Sequence, residues 1–131
     1  MKKFIYIFVL LLTLTITLKI NAKTLTFPQA FSQISQKPVA VLVYADWADN
    51  YQTHLINFRK LEKTQLGQNF YFAELDIASK EAKIFNDKYE IYTKLPYIIL
   101  LRNNGKVSRY IQRNCASDTA CTINKMKAFI L

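Results

Sequence analysis

The run Val39-Ala40-Val41-Leu42-Val43-Tyr44-Ala45 constrains this chain more than any other segment. It is apolar nearly throughout, rich in β-branched residues and free of alternation, the pattern of a strand covered on both faces. Such a strand needs a layer above and a layer below, so the chain must supply amphipathic helices. Phe27 to Gln36 carries Phe27, Ala30, Phe31 and Ile34 at helical spacing, with Pro28 near its start and Lys37-Pro38 ending it. Asp49 to Leu66 predicts a long helix with Tyr51, Leu55, Phe58, Leu61 and Leu66 on one face and Gly67 as its C-cap signal. Asn69 to Ile77 reads as a second strand, and Ser79 to Lys88 as a helix buried through Ala82 and Phe85. Tyr97 to Arg102 and Lys106 to Gln112 form a hairpin around Asn103-Asn104-Gly105, whose Asn-Gly is a strong turn signal. A last helix spans about Ser117 to Ile130, with Ala120, Ile123, Met126 and Ile130 facing inward.

The order is helix, β, α, β, α, β, β, α. The βαβ unit makes the first two strands parallel with a right-handed crossover. The expected fold is one α/β domain with a central mixed sheet of four to five strands flanked by helices. No repeat, low-complexity tract or interior linker divides it.

Residues 1–22 read as a secretory signal. Lys2 and Lys3 form a basic start, Phe4 to Leu18 is apolar but for threonines, and Ile20-Asn21-Ala22 offers a cleavage site. The apolar run is shorter than the roughly 20 residues of a spanning helix. The expectation is export to a periplasmic or secreted location, with membrane attachment only if the segment stays uncut as an anchor. Residues 23–131 then form the domain, large enough to bury roughly two-thirds of its unfolded surface. Loss of Lys2, Lys3 and Lys19 lowers the net charge from +9 to +6. That charge favours solubility and weak attraction to acidic surfaces. With no basic stripe interleaved with stacking aromatics, nucleic acid is not an expected partner.

Lys37-Pro38-Val39 followed by Tyr44-Ala45-Asp46-Trp47 closely resembles thioredoxins and the thioredoxin-like periplasmic domain of transmembrane disulfide reductases. Leu95-Pro96-Tyr97 resembles that family's cis-proline loop, and Asn104-Gly105-Lys106-Val107 the turn between its last two strands. These motifs stand in the family's order and spacing, and the resemblance covers essentially all of residues 23–131. It implies the thioredoxin-like fold, with a cis-proline loop at Leu95-Pro96.

The resemblance also exposes what is missing. The family follows its tryptophan with Cys-x-x-Cys at a helix start, and here Ala48 and Tyr51 hold the two cysteine positions. Neither can form the thiolate that attacks a disulfide. The buried aspartate that the family uses as a proton acceptor matches Leu42, and the lysine opposite it matches Glu74. Dithiol exchange is therefore not expected at this site. The family's peptide-pairing role falls by resemblance to the backbone of Leu95, with Trp47, Tyr51 and Pro96 as the apolar surround, a small case of β-augmentation. Pro96 as the start of an edge strand and Trp47 as a packing residue is the plainer alternative.

The two cysteines are Cys115 and Cys121. An even pair in an oxidising compartment usually forms a disulfide. With the cis-proline loop facing the Trp47 turn, the last strand returns to the same end of the sheet, so Arg113-Asn114-Cys115 falls on that rim. A structural bridge and a relocated redox pair are both readings of these cysteines. His54, the only histidine, is expected at or near the surface of the long helix, not on a metal, and no Cys/His/carboxylate spacing indicates a metal site. Asp46 and Asp49 read as capping and dipole partners. With only Gly67 and Gly105, a glycine-rich phosphate loop is excluded, and no cofactor is expected.

The leading expectation is an exported, redox-inactive thioredoxin-like domain binding a peptide or protein partner in envelope protein assembly or maturation. The alternative is a thiol-disulfide oxidoreductase that uses Cys115 and Cys121. A third possibility is a degenerate paralogue kept as part of a complex.

Overall fold

In the computed structural model, which describes residues 25–89 and 94–130, the apolar run lies at the centre of a five-stranded mixed sheet. The described chain runs β1 (Leu25–Thr26), α1 (Phe27–Ser32), β2 (Val39–Tyr44), α2 (Tyr51–Glu62), α3 (Leu66–Asn69), β3 (Tyr71–Asp76), α4 (Glu81–Lys88), β4 (Tyr97–Arg102), β5 (Val107–Ile111), α5 (Arg113–Ala116) and α6 (Thr119–Ile130). The sheet order is β1-β3-β2-β4-β5. β1 and β2 both pair parallel with β3, while β4 runs antiparallel to β2 and β5 antiparallel to β4. The secretory signal read over residues 1–22 lies outside the described residues.

Alternate side chains of β2 feed two separate cores. Val39, Val41 and Val43 join Ala73, Leu75, Ile99 and Leu101 beneath Phe27 and Ala30 of α1 and Ala82 and Phe85 of α4. Ala40 and Leu42 join Phe72, Ile98 and Leu100 beneath Leu55, Phe58 and Leu61 of α2 and Met126 and Phe129 of α6. Each fully buried Val or Leu contributes roughly 1.5–3 kcal/mol, so a single change in β2 is felt in one layer or the other.

Local chemistry explains the start of α1 and the β4–β5 turn. Thr26 and Gln29 form a reciprocal capping box that starts α1, a signal the sequence reading passed over. The β4–β5 turn places Asn103, Asn104 and Gly105 at positive φ, conformations that Asn and Gly tolerate best. Tyr89 anchors this turn by donating its hydroxyl to the Gly105 carbonyl at 3.0 Å.

Two expectations are corrected. The long helix stops at Glu62 instead of Leu66, and Gly67 is not its C-cap. Gly67 sits inside α3, where a Cβ would lie 1.7 Å from the Glu62 carbonyl oxygen. The residue is needed for close backbone approach between two helices. The C-terminal segment also breaks in two, and the inward face of α6 is Thr122, Met126 and Phe129. Ala120 and Ile130 are exposed, while Ile123 is partly buried against the core. Thr122 sets this phase, because its buried hydroxyl is bonded to the carbonyls of Cys115 and Asp118 at 2.9 and 3.0 Å. A polar residue whose partners lie inside turns the helix by one position relative to an apolar count.

Gly67→Ala is expected to destabilise the protein by about 1–3 kcal/mol through overpacking, read as a lower urea midpoint at unchanged slope.

Candidate functional site

β2 delivers the chain to a turn at the edge of the sheet. Ala45 is buried, Asp46 and Trp47 are exposed, and Ala48 tucks under the turn. The Ala48 amide donates to the Ala45 carbonyl at 3.1 Å and the Tyr51 amide to the Ala48 carbonyl at 3.3 Å. Trp47 is 69% exposed, the most exposed large apolar side chain among the described residues. Residues 46–53 line an open depression of about 460 Å³. Tyr51 begins α2 and stacks on Tyr44, with ring centroids 6.0 Å apart and planes 5° from parallel.

Asp46 and Asp49 do not cap α2. The N-cap is Asn50, held at φ 61°, and it makes no side-chain cap bond. Asn tolerates this left-handed conformation, so the turn is made by backbone geometry and both carboxylates remain exposed.

The strand register gathers the remaining candidates at this edge. Val43 pairs with Tyr97, which sets Leu95-Pro96 beside the end of β2, and the Leu95-Pro96 bond is cis. Ile98 pairs with Ile111, so β5 finishes at the same edge and hands the chain to Arg113. Trp47, Tyr51, Leu95, Pro96 and Arg113 thus share one end of the sheet. The side chains of Leu95 and Pro96 are buried, so the apolar surround expected of Pro96 falls to Trp47 and the half-buried Tyr51. Any surface offered by Leu95 is backbone.

His54 is more buried than expected, at 8% exposure one turn into α2. Burial, and secondarily the positive charge of Arg113, push its pKa below the ordinary value of 6.5. Its neutral imidazole is therefore the form that the fold favours. No group of three or more His, Cys, Asp or Glu side chains suited to a metal ion occurs among the described residues. None of the described helices is long and apolar enough to cross a membrane.

Leu42 and Glu74 are direct partners in the β2–β3 register. Leu42 is fully buried. Glu74 is bidentate to Arg59 of α2, with both N···O distances 2.7 Å. A leucine beside an already paired carboxylate supplies no proton acceptor beneath the turn. The Arg59–Glu74 pair was not anticipated, since nothing in the spacing of residues 59 and 74 announces it. Burial and the nearby Asp76 and Glu74 raise the pKa of the Tyr44 hydroxyl.

Cys115 and Cys121 form a disulfide that ties α5 to the first turn of α6. α5 contains no fully buried residue; Cys115 and Ala116 pack partly buried against the α2/α6 core, and the disulfide and the Thr122 hydroxyl on the Cys115 carbonyl add to that hold. Asp118 adds a contact by accepting from the Cys121 amide at 3.3 Å.

A central strand entering a tryptophan turn, a cis-proline loop beside it and the β1-β3-β2-β4-β5 order define a thioredoxin-like fold. No protein-family model matches the sequence, and a search of curated proteins finds no significant match. Solved structures do match. The chain is similar to thioredoxin f from spinach chloroplast, with a TM-score of 0.60 at 19% identity, covering 82% of this chain and 88% of that one. It is similar to the Malassezia sympodialis thioredoxin Mala s 13, with a TM-score of 0.58 at 15% identity over 81% and 87% of the two chains. Fasciola hepatica thioredoxin gives a TM-score of 0.58 at 12% identity over 77% and 88%. At these identities the likeness is one of fold.

Two outcomes are expected. Because His54 binds a proton less readily in the folded state, stability is intact above pH 6.5 and falls as the pH drops below it. Urea midpoints at pH 7.5 and 5.5 should therefore differ more for the wild type than for His54→Gln. Cys115→Ser/Cys121→Ser should cost about 2 kcal/mol by the chain-entropy model, measured by urea unfolding under non-reducing conditions.

Proposed function

We propose that this protein is an exported, redox-inactive thioredoxin-like domain that binds a peptide or protein partner at the Trp47 rim, in envelope protein assembly or maturation. The observation that carries the reading is an exposed tryptophan on a turn whose following positions, Ala48 and Tyr51, hold no sulfur. Disulfide exchange needs one thiolate to attack and a second to resolve. Neither is available at this turn, and Leu42 leaves it without a buried acid. A large exposed aromatic is costly to leave in water and is the kind of side chain that anchors protein interfaces. Partner recognition would combine Trp47 and Tyr51 as apolar contacts with the backbone of Leu95 as an edge for an extended segment. Arg113, at the same end, adds a positive charge that steers association. Export rests on the signal-like pattern of residues 1–22. A periplasmic or secreted location follows from it, and so does an environment in which the Cys115–Cys121 bond persists.

The second reading, a thiol-disulfide oxidoreductase using Cys115 and Cys121, is favoured by one observation. α5, which carries Cys115, begins at the end of the sheet that carries the rim. The two cysteines' separation of six positions is long for a fast-resolving pair. Equilibration against glutathione separates the readings: a potential below about −300 mV marks a structural bridge, and one near those of the exchange enzymes marks a redox centre.

Crosslinking pull-down from the exported fraction tests the partner reading. Wild type should capture a partner that Trp47→Ala loses. Capture of the same partners by both proteins would remove the rim from the interface.

A further inference from the structure

We infer that the outer edge of β5 is a docking site for an extended acidic segment of a partner protein, which adds to the sheet as a further strand. This surface runs along the side of the sheet and meets the Trp47 rim only at Arg113, and the inference does not rest on the partner-binding reading above. β5 closes the sheet order, so one side of its backbone faces no other strand among the described residues. A free strand edge presents a row of N–H and C=O groups ready to pair.

The charge along this edge has one sign. From residue 91 to residue 117 the sequence has no Asp or Glu, while Lys94, Arg102, Lys106, Arg109 and Arg113 are basic. Arg102 is occupied within the fold, its guanidinium 5.0 Å from the centre of the Phe129 ring and donating to the Phe129 carbonyl at 3.3 Å. Lys106, Arg109 and Arg113 make no ion pair among the described residues, and they flank or sit on β5 at its start, middle and end. Arg109 pairs in register with Leu100 and stands between Val107 and Ile111, which pack on the α2/α6 core. The strand is therefore fixed in place by its neighbours while Arg109 stays exposed.

Charge on an edge strand also guards against pairing with another copy. Two β5 edges brought together would set basic side chains against basic side chains, a repulsive arrangement. No acidic residue lies on β5 or its flanking turns, and Glu74, Asp76 and Glu81 line a cleft beside β1 and β3, at the opposite edge of the sheet. The edge of β5 thus disfavours a second β5, and its charge complements a strand carrying Asp or Glu on alternate positions. Main-chain pairing supplies the register and the ion pairs supply the choice of partner.

The test uses the ¹⁵N-labelled full chain and a capped octapeptide of alternating Glu and Val, with an alternating Lys and Val peptide as its match. The acidic peptide should shift amides of residues 107–111 and slow their hydrogen exchange, and the basic peptide should not. Arg109→Glu should weaken binding about tenfold and Arg109→Lys should retain it, both variants keeping the wild-type thermal midpoint. Trp47→Ala should leave the acidic peptide's affinity unchanged, which keeps this site distinct from the rim. The inference is overturned if the shifts fall on the Trp47 turn, if Arg109→Glu binds equally well, or if neither peptide binds. It is also overturned if phosphatidylglycerol vesicles, and not the peptide, protect residues 107–111, or if sedimentation shows β5 occupied by a second copy.

Discussion

Burial of β2 on both faces is the constraint on which the rest of this structure depends. Val39, Val41 and Val43 have no exposed surface, and neither does Ala40. Covering both faces requires α1 and α4 on one side and α2 and α6 on the other, and it puts β3 and β4 at the two sides of the strand. Once β2 is fixed, its C-terminal end is fixed too. Turns at that end carry Trp47 on one side and Leu95-Pro96 on the other, because Val43 and Tyr97 are paired. In open α/β sheets, the ends of central strands are where the chain can expose functional groups on a rigid support.

What stands under the turn differs from what disulfide chemistry needs. Leu42 adds to the α2/α6 core, and its register partner Glu74 is committed to Arg59. Arg59 is about half exposed, so the pair is screened and adds little net stability; its effect is to orient α2 against β3. An apolar residue packs here without the desolvation cost of a buried carboxylate. The only disulfide of the chain lies at the α5–α6 junction, where the short α5 has no fully buried residue. The disulfide of this chain therefore joins α5 to α6, and positions 48 and 51 hold no sulfur.

β2 and β4 were legible in the sequence because a doubly buried strand leaves a continuous apolar run, whereas the two-residue β1 leaves no such run and was not read. β4 agrees with its expected bounds to the residue, and the hairpin turn follows from Asn103-Asn104-Gly105. Helix ends were less legible. Gly67 reads as a stop signal by residue type, yet its need is the carbonyl of Glu62, a contact that no local pattern encodes. The phase of α6 turned on the hydroxyl of Thr122, which an apolar count treats as a surface position. At the rim, the sequence indicated which residues would meet but not how. Pro96 is buried, Asp46 and Asp49 cap nothing, and the stacking of Tyr44 on Tyr51 depends on the angle between β2 and α2.

The proposal that this fold is retained without its exchange chemistry is tested most directly by dithiothreitol-driven reduction of insulin. The wild type should add nothing to the rate of dithiothreitol alone, whereas Ala48→Cys/Tyr51→Cys should exceed it, because those substitutions put a thiol pair at the start of α2. A wild-type rate above the dithiothreitol background that vanishes in Cys115→Ser/Cys121→Ser would contradict the redox-silent reading and make the α5–α6 disulfide the active centre.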